Sequence, residues 1–401
     1  MTGDPAPRLA ILGAFPWSSA QGSQLLVREQ ARALERAGAH TTLVSYGRGP
    51  LPPPDDLRWR PIARWLSPHD ARSGPGWGKP VADAALLAHW IDLARREPFD
   101  AVLAHNVEAA AVALAARPIA RVPVVYVAHT LMGCELATYG PPRARAGLDA
   151  AGALLDRQLA RRADAVIALC EDARRALAAH ARRPVALLPP GHAVAPPPSP
   201  QERLSACARA GVEAGRFALY TGNLDGYQAL DRLAAVAERL RERLRERLGE
   251  PLGERSVPVV VATHDRSEVG DTLGALGLVR LTGVEEMRAL VHAAGVLLLP
   301  RRSPGGFPMK LLNYLESGRP VVAHAAGAPG LRDGESARIL PDAASPDDWA
   351  LAVADLLARP EQAQAIGRQG RLHLERHHDW PRIAGRTLEL VGTLSGVLGA
   401  P

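Results

Sequence analysis

The sequence predicts an α/β protein of two doubly wound, Rossmann-like domains facing a cleft. Short apolar runs alternate with helical stretches, the pattern of parallel strands buried on both faces. The alternation pauses at a proline-rich segment, PPGHAVAPPPSPQERL (189–204), and then restarts. A length of 401 residues exceeds one ordinary core but suits two domains of roughly 150–200 residues. The expected division is residues 1–190, a linker over 191–204, residues 205–380, and a C-terminal helix over 381–401 that packs back on the first domain.

The first strand is expected at Arg8–Ala14. A turn-rich loop, FPWSSAQG, leads to Gly22 and the helix SQLLVREQARALERAG, whose apolar spacing is near 3.6 and whose stop is Gly38. His40–Ser45 is the next strand. Residues 47–80, rich in Pro, Gly, Arg and Trp, read as surface loops around a short strand near Leu57–Ile62. Four more strands follow in AVLAHN (101–106), PVVYVAHT (123–130), ADAVIAL (163–169) and PVALLPP (184–190). The prolines of 189–204 suit neither a helix interior nor a central strand, which marks the linker. In the second half the strands are FALYTGN (217–223), VPVVVATH (257–264), LVRLTG (278–283), GVLLLPRR (295–302), RPVVAH (319–324) and ARILP (337–341), with a long helix after the first. Ligands of such sheets sit at the carboxyl ends of the strands.

Composition removes several function classes. No apolar run approaches the ~18–20 residues that span a membrane, and the polar start MTGDPAP does not read as a signal peptide. Cys134, Cys170 and Cys207 are far apart and lack CxxC spacing, which predicts a reduced, cytoplasmic protein without disulfides or structural zinc. The first helix lacks the GxGxxG fingerprint, which counts against a dinucleotide oxidoreductase. The tract RERLRERLGE (241–250) mixes both signs at helical spacing and reads as a solvated face, so no nucleic-acid partner is expected. Net charge is +6; residues 1–190 hold 23 basic and 17 acidic residues, and 191–401 hold 25 of each. The positive excess in the first half leaves two readings open, an anionic partner or an ordinary solvated surface.

Of the 48 lysines and arginines, two are lysine: Lys79 and Lys310. Lys310 lies in PGGFPMKLLNYLESGRPVVA (304–323), where the second half resembles the family 4 glycosyltransferases of the GT-B fold. Gly305-Gly306-Phe307-Pro308 fills the place of that family's Glu-Gly-Phe-Gly-x-Pro loop, and Ser317-Gly318-Arg319-Pro320-Val321-Val322 closes the unit. The segments 162–177, 187–192, 221–233 and 327–342, and Trp380-Pro381, are also similar to the family, so the resemblance covers nearly the whole chain. There are departures. Two glutamates usual in the family correspond to Gly305 and Asn313, and a usual Arg and Lys correspond to Asn223 and Gln228. Tyr227-Gln228 and Pro308-Met309-Lys310-Leu311-Leu312-Asn313-Tyr314 are similar to a subset with Tyr-Gln and Pro-x-Lys-Leu-x-x-Tyr motifs.

The resemblance implies retaining transfer of a sugar from a nucleotide-sugar donor, with no catalytic base named because the leaving phosphate can help deprotonate the acceptor. The chain contains no Asp-x-Asp, so no metal site and no cofactor are expected beyond the donor itself. A departing diphosphate then needs a helix N-terminus and a cation. Pro308 suits a first helical turn, the N–H groups behind it suit a phosphate, and Lys310 supplies a compact ammonium. A leftover surface lysine is the plain alternative. His129, at the end of PVVYVAH, matches the family histidine facing the donor sugar and is grouped with Lys310 as catalytic. The resemblance places Gly22, Gly222, Asn223, Gly306, Phe307, Pro308 and Asn313 at the donor, with Asn313 at the ribose. It places Leu281-Thr282-Gly283-Val284 at the base. His105-Asn106 is assigned to the acceptor side. Arg301 and Arg302 follow a strand end and either add charge or face water.

Two other readings of the same fold stay open: a nucleotide-sugar 2-epimerase, which needs acid and base carboxylates, and a non-catalytic sugar-nucleotide-binding or partner subunit, suggested by the missing Glu, Arg and Lys. For the acceptor, the mixture Arg58, Trp59, Arg60, Arg64, Trp65 suits an interface where rings sit at headgroup depth and cations meet anionic lipid. The expectation is a sugar or lipid-linked acceptor and peripheral contact at the inner membrane face. The alternative is a soluble acceptor and an Arg-rich surface.

Overall fold

The computed structural model describes residues 6–16, 22–49, 55–68, 78–222, 230–248, 259–264 and 276–398. The chain divides into two units: Met1–Gly191 with Pro304–Phe307 and His378–Pro401, and His192–Ser303 with Pro308–His377.

The first unit runs β1 (Arg8–Pro16), α1 (Gly22–Arg36), β2 (His40–Tyr46), β3 (Trp59–Pro61), α2 (Lys79–Arg96), β4 (Ala101–His105), α3 (Asn106–Ala120), β5 (Val124–Ala128), α4 (Met132–Glu135), α5 (Arg145–Arg162), β6 (Ala165–Ala168), α6 (Glu171–Ala178) and β7 (Ala186–Leu187). Its sheet is parallel in the order β3-β2-β1-β4-β5-β6-β7. All residues of β4, β5 and β6 are buried. That is why these runs are continuously apolar rather than alternating.

The second unit runs α7 (Pro200–Ala210), β8 (Ala218–Thr221), α8 (Leu230–Leu248), β9 (Val259–Thr263), β10 (Gly277–Arg280), α9 (Val284–Ala293), β11 (Val296–Leu299), α10 (Lys310–Glu316), β12 (Val321–His324), β13 (Arg338–Leu340), α11 (Pro346–Ala358) and α12 (Pro360–His377). Its parallel sheet has the order β10-β9-β8-β11-β12-β13. The chain ends in α13 (Trp380–Leu398), which belongs to the first unit and packs on α1.

The segment expected to be linker is helical from Pro200 onward. Ser199 accepts from the N–H of Glu202, whose carboxylate takes the Ser199 N–H, and Pro200 occupies the first turn. This capping box starts α7 inside a proline-rich stretch because proline at a helix start sacrifices no hydrogen bond. Part of the mixed-charge tract lies in α8, where Arg239 pairs with Glu242 one turn on. Among the described residues no helix is long and apolar enough to cross a membrane.

Each sheet has one switch point, where consecutive crossovers leave in opposite directions. In the first unit it lies between β1 and β4, and in the second between β8 and β11. Loops at the carboxyl ends there diverge and leave a crevice.

Candidate functional site

In the second unit the switch point is built from Gly222, just past β8, and from α10, which follows β11. Lys310 Nζ donates to the Tyr220 hydroxyl at 2.7 Å and stands 4.0 Å from that ring's centroid. A β-carbon built on Gly222 would lie 2.7 Å from the same nitrogen. Gly222 also holds φ +132, a conformation glycine adopts and other residues resist. Its N–H is fixed to the Ala262 carbonyl at 3.0 Å. One turn into α10, the buried Tyr314 hydroxyl accepts the Thr221 N–H at 2.8 Å, locking the helix to the end of β8. Lys310 and Asn313 are both half-buried and three residues apart, so they share a helix face.

Pro308 differs from expectation. α10 begins at Lys310, and Pro308 lies two residues ahead of it, its carbonyl accepting from Leu311 at 2.8 Å. The i to i+3 bonds of Leu311 and Leu312 make the entry a tight 3₁₀-like turn. With seven residues, α10 has a small dipole, and the local positive charge is chiefly the ammonium of Lys310.

The segment assigned to the base closes β10. Leu281 is buried and donates to the Thr263 carbonyl at 2.8 Å, while Val284 is exposed. Both the N–H and hydroxyl of Thr282 bond Glu286, at 2.8 and 2.7 Å, and Arg209 from α7 holds the other Glu286 oxygen at 2.8 Å. These donors hold the Glu286 carboxyl down to about 2 against the opposing effect of burial. Gly283 is the extended N-cap of α9, with open space where a side chain would go. Arg301 is turned back on the Ser303 carbonyl and Arg302 on the Asp342 carbonyl. Asn223, with Tyr227 and Gln228, lies outside the described residues.

In the first unit Gly22 opens α1, and His105, Asn106 and His129 sit at the ends of β4 and β5. His105 is 0% exposed and His129 6%. His105 Nδ1 lies 2.8 Å from His129 Nε2, with the rings edge to face. The His105 side chain lies beneath the surface with its Nδ1 against His129. Burial pushes the His129 imidazole down to about 4 and that of His105 well below its ordinary value. Asn106, half-buried, adopts φ +70, which asparagine tolerates better than most residues.

The Gly305–Phe307 loop belongs to the first unit. Leu131 donates its N–H to the Gly305 carbonyl at 3.0 Å, and its side-chain carbons lie 2.7–2.9 Å from where a Gly305 β-carbon would be. Gly305 also holds φ +80. A glutamate here has no room, which accounts for that departure from the resembled motif. Gly306 and Pro308 are buried, and Phe307 packs on His378, ring centroids 5.3 Å apart.

Sequence reasoning missed Tyr220, Leu131, Glu286 and Arg209. Tyr220 and Leu131 are ordinary strand-end or apolar residues. The Thr282-x-x-x-Glu286 spacing was the one available signal for the third. Among the described residues no group of three or more His, Cys, Asp or Glu side chains is placed to hold a metal ion.

Two Rossmann-like units with these switch points have the fold of GT-B glycosyltransferases. The chain is similar to the sucrose-phosphate synthase of Thermosynechococcus elongatus, with a TM-score of 0.77 and 16% identity over 98% of this chain and 100% of that one. It is similar to Anabaena HepE solved with UDP and glucose, with a TM-score of 0.70 and 15% identity over 96% and 100%. WaaG, a glycosyltransferase of lipopolysaccharide biosynthesis, gives a TM-score of 0.67 and 16% identity over 96% and 99%. No curated protein matches the sequence. Residues 21–191 match the model of the glycosyl transferase 4-like domain, and residues 215–359 that of glycosyl transferases group 1. The chain belongs to the family 4-like glycosyltransferases that join these two domains.

Proposed function

We propose that this glycosyltransferase is a retaining, metal-independent hexosyltransferase that moves a sugar from a nucleotide diphosphate donor to a carbohydrate acceptor, a lipid-linked or cell-surface glycan precursor. The observation that carries the reading is Lys310 Nζ standing over Gly222 at the switch point of the second unit. A glycine backbone and an ammonium side by side admit a phosphate closely and offset its growing charge as the bond to the sugar breaks. In this reading the catalytic groups are Lys310 at the leaving phosphate and His129 at the sugar. Asn313 hydrogen-bonds the ribose without charge, and Leu281–Val284 packs the base. Gly22 admits the phosphates in the first unit. Metal independence rests on the lack of Asp-x-Asp.

The HepE complexes with UDP and UDP-glucose put uridine diphosphate sugars first among donors to test. A panel of nucleotide sugars is screened for thermal stabilisation, where a ligand at 100 times its Kd adds about 2.7 kcal/mol. The stabilising donor is then incubated with glycan acceptors, and product mass and anomeric configuration are measured. A product with inverted configuration, or stabilisation by no nucleotide sugar, would refute the proposal.

One observation favours a second reading, a donor-binding subunit without turnover. Leu131 fills the place where the resembled motif carries a glutamate. Donor binding without any transfer would support it. The epimerase reading is disfavoured, since Gly305 and Asn313 supply neither acid nor base.

A further inference from the structure

The two imidazoles at the ends of β4 and β5 are joined by one hydrogen bond between ring nitrogens. Parallel pairing sets His105 opposite Val127, which brings His129, two residues on, beside it. The rings stand at 84° with centroids 5.1 Å apart, and His105 Nδ1 lies 2.8 Å from His129 Nε2. Burial keeps both rings neutral. Two arrangements remain: His105 Nδ1–H donates to His129 Nε2, or His129 Nε2–H donates to His105 Nδ1.

The far nitrogen of His105 separates them. Among the described residues His105 Nε2, which is buried, has no hydrogen-bond partner. In the second arrangement it would carry a proton and become an orphaned N–H, the rarer and more costly defect. In the first it keeps a lone pair. The first arrangement therefore prevails, and it leaves the His129 proton on Nδ1.

We propose that His105 is a positioning residue that fixes His129 as its Nδ1–H tautomer, so that His129 presents a hydrogen-bond donor to an oxygen of the bound sugar nucleotide. The proposal rests on the assignment of His129 to the donor sugar. It adds that His129 acts by donation and not as a base, because its Nε2 lone pair is already engaged by His105. No proton is transferred in this role. The ligand chemistry it suits is a hydroxyl or an anionic oxygen.

The test is the histidine ring spectrum of ligand-free protein labelled with ¹⁵N-histidine, in which long-range ¹H–¹⁵N correlations identify the protonated nitrogen. The expected result is protonated Nδ1 and bare Nε2 for both rings. His105→Leu should return His129 to an Nε2–H form and lower kcat/KM about tenfold, the worth of one hydrogen bond. His105→Asn, whose amide can supply an N–H near the Nδ1 position, should recover most of that loss. An Nε2–H signal for His129 in the unaltered protein overturns the proposal, and this reading stands even where His105→Leu does not fold. Full turnover in His129→Ala would instead sink its assignment to the donor sugar, a result the ligand-free spectrum does not depend on.

Discussion

The ammonium of Lys310 lies 2.7 Å from the point a β-carbon at Gly222 would occupy. A side chain at Gly222 would push the flexible tip of Lys310 out of this position. Gly222→Ala should therefore displace Lys310 and strain a backbone held at φ +132. Donor turnover is expected to fall at least tenfold, with the fold retained. Wild-type kcat/KM in this variant would separate the two residues functionally.

Lys310→Ala should lower transfer by about 10²-fold or more, as loss of one transition-state electrostatic group commonly does. Lys310→Arg should rescue it in part, since a planar guanidinium replaces a point charge and must still find the Tyr220 hydroxyl. Steady-state kinetics with a stabilising donor decide it, and near-normal turnover in Lys310→Ala would remove this residue from the site.

Much of this arrangement was legible in the chain. The runs AVLAH and VVYVA read as strands because both faces of a parallel sheet are buried, and they are buried throughout. Lys310 was visible through its rarity. Its partner Tyr220 was not, because it is 90 residues away and reads as one more strand residue. His105 and His129 were each found at strand ends, yet their contact depends on the β4–β5 register, which composition does not specify. The exclusion of a side chain at Gly305 was hidden for a similar reason: it needs the position of Leu131.

That exclusion can be measured. Gly305→Ala meets both an αL-type backbone, a cost of roughly 1–2 kcal/mol, and the Leu131 side chain at 2.7–2.9 Å. Adding Leu131→Ala should relieve the contacts with Cγ and Cδ1, leaving the backbone strain and the contact with Cβ. A double-mutant cycle by denaturant unfolding should give a favourable coupling of about 1 kcal/mol. Strict additivity would show that Leu131 is not what keeps position 305 bare.

Acid should destabilise the fold in a defined window. His129 has a folded value of about 4, lowered by burial from 6.5. Below about 6.5 the unfolded chain binds a proton that the folded chain refuses, so stability falls as pH drops towards 4, where the effect saturates. The total is up to roughly 3 kcal/mol for this residue. His129→Gln should reduce the slope of stability against pH in that window by up to about 1.4 kcal/mol per unit. An unchanged slope would mean that His129 is not buried as a neutral ring.

Peripheral contact with an anionic membrane is the expectation that accompanies a lipid-linked acceptor. The Arg and Trp mixture of the first unit separates into two sets. Trp59 donates its indole N–H to Ser45 at 3.0 Å, and Arg58 is paired with Glu97 at 2.7 Å. Trp65 instead is 78% exposed, with Arg60 and Arg64 also exposed nearby in sequence. An indole standing in water beside cations suits headgroup depth, where its ring is half-desolvated and the cations meet lipid phosphate. Co-sedimentation with vesicles should therefore rise with anionic lipid and fall with salt, because the attraction is screened beyond ~8–10 Å. Trp65→Ser should weaken binding to anionic vesicles severalfold and leave transfer to a short, water-soluble acceptor intact, whereas Trp59→Ser should disturb stability first. Equal recovery in the supernatant with neutral and anionic vesicles at low salt would refute the membrane contact and leave the transfer reaction untouched.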